Sequence, residues 1–274
     1  MSISGFLVIL QTKITDKKIT IMFKTKKHIK LLILAIICSI SATIKAQEIN
    51  YKENFYKLFI SGNVSKWDKL ITQFENDKTK KDDAGKIELL GYYYGYIGHL
   101  IDIKDEDRAE DYIDKAQPLA ETLVNKFPNN ALLKGYNANI IGFKIAISPL
   151  RATTLARGMM KNAKASILLA PNDPTVNILS GNIFLYMPDF LGGNTQQSLK
   201  QYKKALADFD ADEKLRENNW MYLQLMVTTG IVYEKLDNYT EAKNMYEQAL
   251  KIYPNYPHVR DKKYPNILKK IEKK

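Results

Sequence analysis

The chain has 274 residues, of which 45% are hydrophobic, 11% aromatic and 26% charged. That is enough apolar material for a buried core, and 13 Gly and 9 Pro are too few for a disordered or collagen-like chain. The formal charge of +11 points to an acidic partner only if it is spread over the folded part, and it is not.

Residues 1–46 carry eight of the 41 basic residues against the single acid Asp16. Within them, residues 22–46 read MFKTKKHIKLLILAIICSISATIKA. Lys24, Lys26, Lys27 and Lys30 precede an apolar run from Leu31 to Ile40, and the small residues Ala42 and Ala46 follow. This order is that of a secretory signal peptide. A membrane anchor is the alternative, but about ten apolar residues are too few to cross a hydrocarbon core of about 30 Å. Residues 1–21 read as an over-extended start, because Met22 alone opens a well-formed signal. Cys38, the only cysteine, is preceded by Ile36 and Ile37 rather than by a small residue, which argues against lipidation. Cleavage after Ala46 would leave no thiol. Beyond this segment Lys alternates with Asp and Glu, so no clustered basic face for nucleic acid is expected. The remaining chain is expected to be exported, periplasmic or secreted, without stable membrane insertion.

Residues 47–83 contain Phe55, Leu58 and Phe59, then Trp67, Leu70 and Phe74, on either side of Gly62-Asn63. This spacing predicts a helical hairpin. Next, Leu90, Gly91 and Tyr94 open a segment that Pro128 closes (about 84–130). Ala138 opens the corresponding place in 131–173, which ends near Pro171. In 174–212, Gly181 and Phe184 stand three apart, and Ser198, Tyr202 and Ala205 restate a small–aromatic–small spacing. The most regular copy runs from Leu223 to Tyr256. Numbered from 1, it places Gly230, Tyr233, Ala242, Tyr246, Ala249 and Pro254 at positions 8, 11, 20, 24, 27 and 32. Six of eight signature positions resemble a tetratricopeptide repeat (TPR); Met226 and Thr229 replace the expected Trp and Leu. Small residues allow two helices to cross closely, aromatics fill the space beside them, and proline ends the second helix. A Lys-rich segment, 257–274, would cap the last repeat.

The resemblance implies an all-α fold: a TPR-like solenoid of about ten or eleven helices, stacked as antiparallel pairs in a right-handed superhelix. Two segments exceed the 34-residue period, Ala146–Arg157 and Met187–Asn194. The second, with Pro188 and Gly192-Gly193, is similar to a loop of the form Pro-x-x-x-Gly-Gly in a subgroup of exported bacterial TPR proteins. That subgroup implies fold and export, and no activity.

No chemistry-bearing motif stands out. His28, His99 and His258 are not at metal-ligand spacing, and His99 reads as a structural residue. The acidic run Asp102, Asp105, Glu106, Asp107, Glu110, Asp111 and Asp114 contains no glycine of the kind a calcium loop needs, and acids suit a helix start. No metal, cofactor or catalytic residue is expected. In the repeat numbering Tyr92 and Tyr96 face the concave side, as do Asn139 and Phe143, then Asn182 and Tyr186. Residues four apart share one helix face, and an Asn–aromatic lining suits a groove for a peptide; the rival is burial of these aromatics against a neighbouring insertion. The expected function is a non-enzymatic module that binds a protein or peptide partner in its concave groove. Another reading is a small-solute-binding accessory of a periplasmic transport system, with a cavity beneath residues 190–194. An enzyme would need an acid–base pair that only the fold could assemble.

Overall fold

The structure is a computed structural model that describes residues 49–273. The chain divides into residues 1–50 and a second unit, Tyr51–Lys274. The expected start segment, the signal peptide and Cys38 lie outside the described residues. All that follows concerns the second unit.

Twelve α-helices follow one another among the described residues, with no strand. A short hairpin comes first, α1 (Tyr51–Ile60) and α2 (Trp67–Asn76). Then come the pairs α3 (Asp83–Asp102) and α4 (Glu106–Lys126), α5 (Ala131–Ile147) and α6 (Ala152–Leu169), α7 (Pro174–Tyr186) and α8 (Thr195–Ala211). A single turn, α9 (Glu213–Arg216), leads to the pair α10 (Trp220–Lys235) and α11 (Tyr239–Ile252). A π-helical segment, His258–Lys263, joins the last pair to α12 (Tyr264–Glu272). The count exceeds the expected ten or eleven because α9, one turn long, has no periodicity to read in the sequence.

The helices begin where short polar side chains can take up free backbone donors. Asp82, Asp105, Asn130, Asp173, Asn194 and Asn238 each accept a hydrogen bond from the backbone N–H three residues on. Pro174 stands in the first turn of α7, where a missing N–H costs nothing. Pro128, Pro171 and Pro254 each follow the end of a helix, α4, α6 and α11 respectively.

Each of the last two pairs is fixed by a small residue under an aromatic ring. A Cβ on Gly230 would lie 2.4 Å from the ring of Tyr246, and one on Gly181 would lie 2.3 Å from that of Tyr202. Both tyrosines are fully buried, so only glycine permits these crossings. Ala205, Ala242 and Ala249 are likewise buried, while Tyr233 and Phe184 pack at half burial. Gly91 instead faces the next pair: its Cβ position lies 2.9 Å from the hydroxyl of Tyr136. The main core runs from Tyr51 to Ile267, and a smaller one (Ala138, Ile145, Ala156, Met159, Ala163, Ile183, Met187) joins α5, α6 and the end of α7.

The first hairpin does more than cap α3. Phe59 of α1 lies 5.7 Å from Trp220 of α10 and 5.4 Å from Tyr256 (ring centroids). Trp67 meets Trp220 edge-on at 5.3 Å, and both indoles lie against Gly95, whose Cβ position is 2.6 Å from one ring and 2.8 Å from the other. Gly62 abuts Pro257. The beginning and end of the solenoid are therefore in contact.

Candidate functional site

The residues expected to line the groove sit on α3, α5 and α7, and the structure uses most of them inside the chain. Tyr92 is buried: its ring stacks on Phe55 at 3.6 Å, meets Phe74 edge-on, and its hydroxyl donates to Glu88 at 2.6 Å. Tyr96 is fully buried against Tyr112, accepts from the Arg108 guanidinium and donates to the carbonyl of Ser65. Asn139 is buried between α5 and α7, where its Nδ2 donates to the carbonyls of Gly135 and Leu179, both at 2.9 Å. These three side chains are not open to a partner, which corrects their place in a binding groove. The physical reason differs for each: Phe55 and Phe74 of the α1–α2 hairpin cover Tyr92, Tyr112 and Arg108 of α4 close over Tyr96, and α7 packs over Asn139.

Phe143 is half-buried and stacks on Tyr94 at 5.6 Å. Asn182, also half-buried, donates to the hydroxyl of Tyr94 and accepts from that of Tyr202. Tyr94, buried, reaches from α3 to α7 and stands 6.2 Å from Trp220. Burial raises the pKa of Tyr94 and Tyr202 and keeps both hydroxyls protonated. Of the six, Tyr186 alone is exposed (64%).

Large apolar side chains stand exposed instead at the end of the unit where first helices turn into second ones. There, Ile103 follows α3 and is 50% exposed, Leu150 follows α5 at 89%, and Phe190 follows α7 at 86%. Phe190 stands on a tightly bonded turn. Leu191 and Gly193 N–H groups donate to the carbonyl of Pro188, Gly192 donates to Asp189, and Asn194 donates back to Phe184. Gly192 adopts φ +105, and a Cβ on Gly193 would fall 1.8 Å from the carbonyl oxygen of Met187, so this turn requires both glycines. Leu191 packs inward against the smaller core, as Met160 and Leu155 do, while Phe190 points to solvent. Leu150 sits on a 3-10 turn, Pro149–Arg151, pinned by the Arg151–Glu110 ion pair at 3.2 Å. Both tips fall in the two segments that exceed the repeat period, which was the signal available in the sequence.

Charged chemistry is sparse here. Among the described residues no group of three or more His, Cys, Asp or Glu could hold a metal ion. In the acidic run, Asp105 caps α4 and Glu110 pairs with Arg151. His99 and His258, both half-buried, have pKa values lowered chiefly by burial, and Nε2 of His99 has no hydrogen-bond partner. Two open hollows of about 250 and 280 Å³ are lined by Ile231, Glu234, Lys235, Lys263 and Lys270, and by Glu241, Asn244, Glu247, Gln248 and Lys251. Neither lies beneath residues 190–194. No helix among the described residues is long and apolar enough to cross a membrane.

The paired helices, small–aromatic crossings and polar caps together define an all-α repeat solenoid. One stretch of it carries the tetratricopeptide repeat pattern: the model of that repeat matches residues 224–256. Among solved structures, a thermophilic TPR protein of Thermus thermophilus is similar in fold, with 16% identity and a TM-score of 0.51, over 79% of this chain and 98% of that one. MamA protein (16% identity, TM-score 0.37, 65% and 88% covered) and the APC/C hetero-tetramer Cut9-Hcn1 (15%, 0.31, 86% and 47%) align more loosely. No curated protein matches the chain.

Proposed function

We propose that the chain is a non-catalytic protein-interaction scaffold that holds its partner on the rim formed by Leu150, Tyr186 and Phe190. The observation that carries this reading is the exposure of these side chains, 89%, 64% and 86%, with Leu150 and Phe190 on hydrogen-bonded turns and Tyr186 at the end of α7. Large apolar groups held rigidly in water mark interaction sites, because ordering costs are already met before a partner arrives. Loops presented by a rigid scaffold are a common place for function. The partner is a protein or peptide with an apolar face, bound with affinity of order micromolar. Residues 22–46 direct export to the bacterial envelope in this reading, and sequencing the N-terminus of the mature protein tests it. The rim is tested by crosslinking and co-purification of tagged wild type beside a Leu150→Ser/Phe190→Ser variant. Both side chains lie in solvent, so the variant should melt like wild type while losing the partner. A partner retained equally by both proteins refutes the rim.

A further inference from the structure

The outward faces of α4 and α6 carry opposite and uncompensated charge. On α4, Asp107, Asp111, Asp114 and Glu121 are exposed on one face, opposite the buried Ala109, Ile113, Ala116, Ala120 and Leu123. The cations of that helix are turned elsewhere: Arg108 to Asp68, Lys115 to Glu75, Lys126 to Asp83. On α6, Arg157, Lys161 and Lys164 are exposed opposite the buried Ala156, Met159, Ala163 and Ser166. Residues 122–172 contain no Asp or Glu at all. The cationic row has the same i, i+4, i+7 spacing as Asp107, Asp111 and Asp114. Among the described residues none of these seven side chains forms an ion pair.

Both helices pack against α5, and as second members of successive pairs they run in the same direction. Beside the rows, the chain makes one ion pair of this sense within itself, between Arg151, just before α6, and Glu110 of α4. A two-fold axis lying parallel to α4 and α6, between them, would set the α4 of one copy over the α6 of another and repeat that contact on the other side. Any arrangement that stacks α4 on α4 opposes acid to acid.

We infer that a second copy of this chain docks on the α4–α6 face, closing a two-fold dimer held by paired rows of opposite charge. Helices of about 30 Å laid side by side offer about 600 Å² per copy, near the lower limit for a specific interface. The dimer is therefore weak and salt-sensitive, with a dissociation constant of about 10 µM at low salt that weakens about tenfold at 0.5 M NaCl.

Sedimentation equilibrium of the full mature chain at 50 mM and 500 mM NaCl tests this. Wild type should reach twice the monomer mass at low salt. Arg157→Glu/Lys161→Glu and Asp111→Lys/Asp114→Lys should each remain monomeric, and an equimolar mixture of the two should regain the dimer, because each supplies the charge the other lacks. A chain with all four substitutions should pair with itself and refuse wild type. Circular dichroism of every variant establishes that it is folded. A wild type that stays monomeric at 500 µM in low salt overturns the inference, and so does a mixture that stays monomeric or a mass that grows beyond two copies. Flotation with anionic vesicles that depends on the α6 residues alone, in a monomeric protein, assigns the cationic face to lipid and overturns it as well.

Discussion

Replacing Trp67 by Ala is expected to remove about 3–5 kcal/mol of stability. The side chain is fully buried, touches Phe55, Phe59 and Trp220, and donates its indole N–H to the carbonyl of Phe55 at 3.2 Å. In a unit of this size each kcal/mol lowers Tm by about 2–4 °C, so the fall should be about 6–20 °C. Trp220→Ala removes the other half of the closure. With rings at 5.3 Å the pair should show about 1 kcal/mol of coupling in a double-mutant cycle. The chain has two tryptophans, and both stand at this contact, so indole fluorescence reports closure while far-UV circular dichroism reports helix. Urea titrations followed both ways should coincide. A fluorescence transition at lower urea than the helical one would show that the ends part before the repeats melt. That result refutes a closure that melts together with the repeats, and strictly additive variants refute the closed arrangement itself.

Asn182→Ala should cost about 2–4 kcal/mol in chemical denaturation, since it leaves the hydroxyls of Tyr94 and Tyr202 without their shared partner. The triple change Tyr94→Phe/Asn182→Leu/Tyr202→Phe removes all three polar groups together and should recover most of that loss. Stability should also fall on mild acidification. His99 and His258 have folded pKa values below the ordinary 6.5, so between those values and pH 6.5 the unfolded chain binds more protons. Their contribution is full above about pH 6.5 and is lost as pH drops beneath it. The carboxylates with lowered pKa, Asp77, Glu247 and Asp261, act only further down, within and below the carboxylate range. A His99→Gln/His258→Gln variant should therefore show a flatter Tm profile between pH 7 and 5; an unchanged slope refutes the assignment.

The repeats were legible because their packing is local. Gly230 and Tyr246 lie within one hairpin, and a glycine under a ring leaves a fixed interval in the sequence. The fate of Tyr92 and Tyr96 was not legible. Repeat numbering gives the direction a side chain faces, but not that Phe55 and Phe74 would be brought over Tyr92 or Tyr112 against Tyr96. Tyr92 and Tyr96 are buried against the first hairpin and α4, not against an insertion. Pro188 and the paired glycines revealed a turn, yet nothing in the sequence distinguishes Leu191, packed inward, from Phe190, left in water. The opposed charges of α4 and α6 could be counted from the sequence, and only the helical faces show them to be outward and unpaired.

A repeat array built from neighbour contacts alone can fold from one end as it is made, each pair settling on the last. The meeting of Trp67 with Trp220, and of Phe59 with Tyr256, denies this chain that route to completion. Its first hairpin must wait, apolar surface uncovered, until the last pair exists, so the slowest loop closure in the molecule is also its final one. A chain cut before α10 would keep its repeats and expose Phe59 and Trp67, and it should aggregate where the whole chain does not.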